Sequence, residues 1–189
     1  MNLPNKLTVF RIILVPIIVL FLLSGIRYKF CFSLVVFLLA SYTDHLDGKY
    51  ARKLGIITSF GKIMDPLADK ILVSSVMICL IELKLVSALP VVVIVAREFI
   101  ITSVRFLLLE SKNIVLPANV WGKLKTVSQI VAICYVFLYE AFSEFGILLL
   151  DKIYLVTFFR VFLIWTCMFF SVISGVVYIL KSKKYINLN

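Results

Sequence analysis

Four aspartates, Asp44, Asp47, Asp65 and Asp69, are the residues of this sequence best placed to do chemistry. Helical residues advance about 100° each, so Asp44, Asp47, Gly48 and Ala51 fall on one face. Asp65 and Asp69, four apart, share a face of their own. Between the pairs lies a polar, glycine-punctuated stretch, Arg52 to Lys62, that reads as the turn joining two helices. Asp44 precedes Arg52 by eight residues and Asp69 follows Gly61 by eight. Each offset is about 12 Å at 1.5 Å per residue. An antiparallel hairpin would therefore set Asp44 level with Asp69, and Asp47 with Asp65. Four carboxylates converging at low dielectric require counter-charge. Two divalent cations supply it, and an all-oxygen, thiol-free ligand set suits Mg²⁺ or Mn²⁺. Four solvated aspartates beside a loop would explain each residue singly, but not the paired spacing.

The elements that must hold these residues are apolar. Of 189 residues 62% are hydrophobic and 16% charged, with a mean hydropathy of +1.10. A soluble domain of this size has no interior able to hide so much apolar surface. The expected fold is an all-α integral membrane protein of one domain, residues 1–189. Six transmembrane helices are predicted over Thr8–Ser24, Phe30–Arg52, Gly61–Leu83, Leu89–Leu109, Val120–Phe142 and Ile153–Leu180. Arg11 interrupts the first apolar run and no small-residue cleavage site follows Ser24, so the start reads as a retained span. Asp65-Pro66 admits two readings, a helix start with Pro66 in the first turn or a kink in a longer helix.

Six spans put both termini on one side. Arg52, Lys53, Lys62, Lys112, Lys123, Lys125 and the tail lysines lie on that side, against Arg27, Lys29, Lys84 and Lys152 opposite. The positive-inside rule thus predicts cytosolic termini and a cytosolic aspartate hairpin. A formal net charge of +10, with basic residues crowding helix ends, fits lipid headgroups better than nucleic acid. Cys31, Cys79, Cys134 and Cys167 are scattered without metal or redox spacing and read as small hydrophobes.

Arg97 and Glu98 fall near the middle of the fourth span, where an unpaired charge is costly and usually faces a cavity. A structural Arg–Glu pair is the plainer alternative, weakened because adjacent helical residues do not face each other. Arg105 lies seven residues after Glu98 on the same face, so Glu98 is expected to orient Arg105 while Arg97 reaches the cavity. Lys123 and Lys125 open the fifth span about 200° apart, so both point inward only if that start is irregular. His45 is the only histidine; it lies off the aspartate face and is expected to be structural.

Asp44, Asp47, Gly48, Ala51, Arg52, Gly61, Asp65 and Asp69, with their gaps, resemble the full signature of the CDP-alcohol phosphotransferase family. Asn5, Thr8 and Arg11, the Arg97–Glu98 pair, and Gly122, Lys123, Lys125, Thr126 and Gln129 resemble the branch that makes phosphatidylglycerol phosphate. These markers span roughly the first two-thirds of the chain; from about Tyr135 nothing specific is seen. The resemblance implies that the aspartates hold two metals on a CDP-linked diphosphate, with Asp69 as general base. It implies CDP-diacylglycerol and glycerol 3-phosphate as substrates, a six-helix membrane fold with a cytosolic active-site cavity, and a homodimer. Gly48 and Ala51 would leave room for the nucleotide, and Asn5, Thr8 and Arg52 would contact the CMP moiety. Arg97, Arg105, Lys123 and Lys125 would bind the acceptor phosphate, supported by Arg11, Glu98 and Gln129. Rival readings are the same chemistry on another acceptor, such as an inositol phosphate, and a cation transporter lined by acidic residues. The acidic residues cluster in the cytosolic half, which argues against a transport path.

Overall fold

A computed structural model describes residues 3–54, 59–112, 120–146, 153–183 and 185; the side chains of 3–5, 44–54, 59–63, 65, 111–112 and 153 are outside the description. Six helices follow one another: α1 (Leu3–Leu23), α2 (Lys29–Leu54), α3 (Ser59–Glu82), α4 (Ala88–Lys112), α5 (Val120–Glu144) and α6 (Ile153–Lys183). Three contain stretches long and apolar enough to cross a membrane: Lys6–Leu23, Val120–Glu144 and Tyr154–Lys183. The apolar part of α2, Lys29–Thr43, is shorter, because the aspartate segment takes up the rest of the helix.

Helix α1 starts earlier than the hydropathy suggested and takes in the polar lead. Pro4 falls in its first turn, where a missing N–H breaks no helical bond. The two readings of Pro66 are resolved in favour of continuity, since α3 begins at Ser59 and carries Pro66 inside it. Helix α3 closes in a Schellman motif. The Leu85 N–H donates to the Leu80 carbonyl at 2.9 Å and the Lys84 N–H to that of Ile81 at 2.8 Å. Lys84 takes the left-handed conformation that glycine usually fills there, with φ 56°.

The chain divides into two compact units, residues 1–85 with 133–151, and 86–132 with 152–189. Helix α5 gives its second half to the first unit and its first half to the second.

In the first unit α1 packs along both α2 and α3, while α2 and α3 touch each other only briefly among the described residues. The buried face of α1 repeats every three or four residues through Thr8, Arg11, Val15, Ile18 and Leu22. Phe30 and Phe37 of α2 meet Phe137 of α5, the latter pair edge to face with centroids 6.0 Å apart.

In the second unit α4 packs on α6. Arg97 meets Ser174, and Arg105 meets Tyr178, so the two helices run in the same direction. The outward faces are greasy, with Phe158, Phe162, Phe169, Val172 and Val176 of α6 exposed while Ser171, Ser174 and Ser182 are buried. Large exposed apolar surface over helices of this length is the arrangement a bilayer accommodates.

Candidate active site

The carboxylates belong to the first unit. Helix α2 runs unbroken through Asp44 and Asp47, and α3 through Asp65 and Asp69. The three- and four-residue spacings therefore each put a carboxylate pair on one helical face. The side chains of Asp44, His45, Asp47, Gly48, Ala51, Arg52, Asp65 and Asn5 lie outside the description. Asp69 is half-buried and engaged by a neighbour. No group of three metal-binding side chains occurs among the described residues, which include the side chain of only one of the four aspartates. The donor set itself fits a hard divalent cation: carboxylate oxygens, two to a helix face, on two successive helices. On the buried face of α1, Thr8 and Arg11 are fully enclosed, one turn apart, and both have interaction partners.

The cationic residues gather in the second unit. Glu98 is buried and takes two cations on one oxygen: Arg97 Nη1 donates to its Oε1 at 3.2 Å, and Lys125 Nζ pairs with the same atom. Arg97 Nη2 also donates to Ser174 Oγ at 2.7 Å. Thr102 Oγ1 donates to the Glu98 carbonyl oxygen, holding that turn of α4 from within. The Arg105 guanidinium lies over the Tyr178 ring, 5.7 Å from its centroid, and its charge is felt by Arg97. Two cations, Arg97 and Lys125, thus share the Glu98 carboxylate, and Arg105 stands on the Tyr178 ring in the same unit. The same unit also holds buried polar atoms with no hydrogen-bond partner among the described residues, Arg97 Nε, Arg105 Nε, Gln129 Nε2, Ser171 Oγ and Tyr178 Oη among them. Such atoms are rare in a native interior and mark a place where something polar binds.

Two expectations change here. Glu98 orients Arg97 and Lys125 rather than Arg105. The flexible Arg97 stem folds back onto its neighbour because Lys125 anchors that carboxylate in place, and Arg105 goes to the Tyr178 ring instead. Of the two lysines only Lys125 joins the cluster. Helix α5 is regular from Val120, so the 200° separation leaves Lys123 exposed.

The last third of the chain also contributes more than its sequence suggested. Ser171, Ser174, Gly175, Tyr178 and Ser182 form a buried stripe on α6. The signal was present as polar and small residues at helical spacing inside a very apolar run, but only the neighbouring arginines give it meaning.

The chain matches the family described as CDP-alcohol phosphatidyltransferase over residues 1–173. It is 39% identical to a CDP-diacylglycerol–glycerol-3-phosphate 3-phosphatidyltransferase of Bacillus subtilis (strain 168), covering 96% of this chain and 95% of that protein. The protein of the same name from Rickettsia felis is 36% identical over 97% of each chain. That of Wigglesworthia glossinidia brevipalpis is 41% identical over 70% of this chain and 75% of its own. With a family match across nearly the whole length and relatives aligned end to end, the chain belongs to the CDP-alcohol phosphatidyltransferase family.

Proposed function

We propose that this chain transfers the phosphatidyl group of CDP-diacylglycerol to sn-glycerol 3-phosphate, giving phosphatidylglycerol phosphate and CMP. The observation that carries the acceptor is the gathering of cations in one unit: Arg97 and Lys125 on the Glu98 carboxylate, with Arg105 over Tyr178 on the same pair of helices, α4 and α6, that holds Arg97. A phosphate monoester dianion would pair with these cations, and the guanidinium forks suit its oxygens. Serine, which carries no phosphate and no net charge, would offer these cations no dianion to bind.

Asp44, Asp47, Asp65 and Asp69 hold two Mg²⁺ or Mn²⁺ ions, whose charge offsets that of the diphosphate and of the departing CMP. Asn5, Thr8 and Arg52 hold the cytidine nucleotide, with Gly48 and Ala51 leaving it room. Asp69 takes the proton of the acceptor hydroxyl. That oxygen bonds to the β-phosphorus, and the bond from the β-phosphorus to the CMP oxygen breaks. The acceptor phosphate stays on Arg97, Arg105 and Lys125, so chemistry and recognition rest on different helices. Residues 1–189 serve one reaction as a single domain.

The decisive experiment is CMP release by the purified protein with CDP-diacylglycerol and, in parallel, glycerol 3-phosphate, inositol phosphate and serine. Turnover is expected with glycerol 3-phosphate. Turnover only with inositol phosphate would reassign the acceptor, and cation flux without CMP release would support a transporter.

All six helices cross the bilayer in this reading, with both termini and the aspartates on the cytosolic side of a bacterial-type inner membrane, and the protein works as a homodimer. Lys183 and Ser143 are both exposed, so single cysteines at these positions, in a background lacking the native ones, report the topology. Lys183→Cys should react with an impermeant maleimide only from the cytosolic face, and Ser143→Cys only from the other. Labelling of both from one side would overturn the six-span topology.

A further inference from the structure

We propose that α6 is the helix that aims the acceptor-binding arginines, with Ser174 and Gly175 positioning Arg97 and Tyr178 positioning Arg105. The proposal rests on the acceptor reading above. Arg97 is held at two of its three guanidinium nitrogens. Nη1 is on Glu98 at 3.2 Å and Nη2 is on Ser174 at 2.7 Å. Nε is buried without a partner among the described residues. Fixing both terminal nitrogens sets the plane of the fork that would meet a phosphate oxygen, while Nε lies against the Gly175 backbone. Glu98 alone would leave the fork free to swing about that contact.

Gly175 leaves the space that the Arg97 stem occupies. A Cβ there would lie 3.1 Å from Arg97 Cγ and 3.4 Å from Nε, too close for the stem to stay where it is. One turn on, the Tyr178 ring lies under the Arg105 guanidinium. The Tyr178 hydroxyl is itself buried without a partner among the described residues. Ser171, Ser174, Gly175, Tyr178 and Ser182 keep to one buried face of α6, while Phe169, Val172, Val176 and Ile179 are exposed. Small residues and hydroxyls on a buried face suit close helix packing in general; the contacts of Ser174, Gly175 and Tyr178 with two arginines are what single out this face of α6.

The test uses the full chain in detergent or reconstituted vesicles, with initial rates of CMP release against both substrates. Ser174→Ala should raise the KM for glycerol 3-phosphate about five- to twentyfold, less than the roughly ten- to hundredfold of losing a charge-assisted contact outright, because Ser174 acts through Arg97. The KM for CDP-diacylglycerol and the kcat at saturating acceptor should be retained. Ser174→Thr should restore most of the affinity, and Gly175→Ala should mimic the loss by pushing the stem aside. In an Arg97→Ala background Ser174→Ala should add nothing, since its effect runs through the guanidinium. An unchanged acceptor KM in Ser174→Ala overturns the proposal. So does equal weakening of both substrates, or an undiminished effect without Arg97. Wild-type protein that releases no CMP on addition of glycerol 3-phosphate overturns the acceptor reading, and this proposal with it. Active wild type with an indifferent Ser174→Ala overturns the role of α6 alone.

Discussion

Asp69→Asn is expected to abolish turnover while acceptor binding survives. The substitution keeps size and shape inside a continuous α3, so the helix and the packing of Ala68 and Leu72 beside it have no reason to change. What is lost is a group able to take the hydroxyl proton, together with one anionic ligand for the cations. Removing a general base alone costs roughly 10²–10⁴ in rate, and weakened cation binding adds to that. The fall should appear in kcat, with the KM for glycerol 3-phosphate nearly constant, because that affinity is proposed to rest on α4, α5 and α6. Asp44→Asn should lose activity too, but part of it should return at high Mg²⁺, since that residue is proposed to hold metal without handling the proton. Removing divalent ions with EDTA should silence the wild type, and added Mg²⁺ or Mn²⁺ should restore it. Full activity in excess chelator would end the two-cation mechanism, and a kcat within tenfold of wild type in Asp69→Asn would end the role of Asp69 as base.

Arg97→Ala should give the converse pattern. Its guanidinium is proposed to meet only the acceptor's phosphate, so the KM for glycerol 3-phosphate should rise and that for CDP-diacylglycerol stay close to wild type. Losing one charge-assisted contact of about 1.5–3 kcal/mol corresponds to roughly a ten- to hundredfold change. The protein should still fold. Glu98 keeps Lys125 as its partner when Arg97 is gone, so no buried carboxylate is left uncompensated. Arg97→Lys should recover only part of the affinity, because an ammonium cannot reach Ser174 and Glu98 at once while presenting a third donor. A loss shared equally by both substrates would mean that Arg97 supports the fold or the metal site, and the acceptor assignment would fall.

Much of this was legible from residue order. Helical periodicity is local, so the phase relation between Asp44 and Asp47, or Asp65 and Asp69, follows from spacing once the segment is helical, and both segments are. Composition alone required apolar helices, because 62% hydrophobic residues exceed what a soluble interior of 189 residues can enclose. The family signature was readable for the same reason: its residues sit within one stretch and need no tertiary partner to be recognised.

What the order of residues did not determine is the choice each long side chain makes among partners from other helices. Glu98 could have taken Arg105 from its own face, but Lys125 reaches it from α5 and Arg97 bends back to it. Lys123 and Lys125 were equivalent candidates until the regular start of α5 turned one inward and left the other exposed. Ser174, Gly175 and Tyr178 carried no meaning in a hydrophobic tail until α6 lay parallel to α4 and set them against two arginines. Spacing along one helix sets the direction of a side chain by backbone geometry, whereas its partner depends on which helix packs alongside and at what height. That choice is settled by burial of apolar surface along the whole length of the helices, and it exists only in the folded protein.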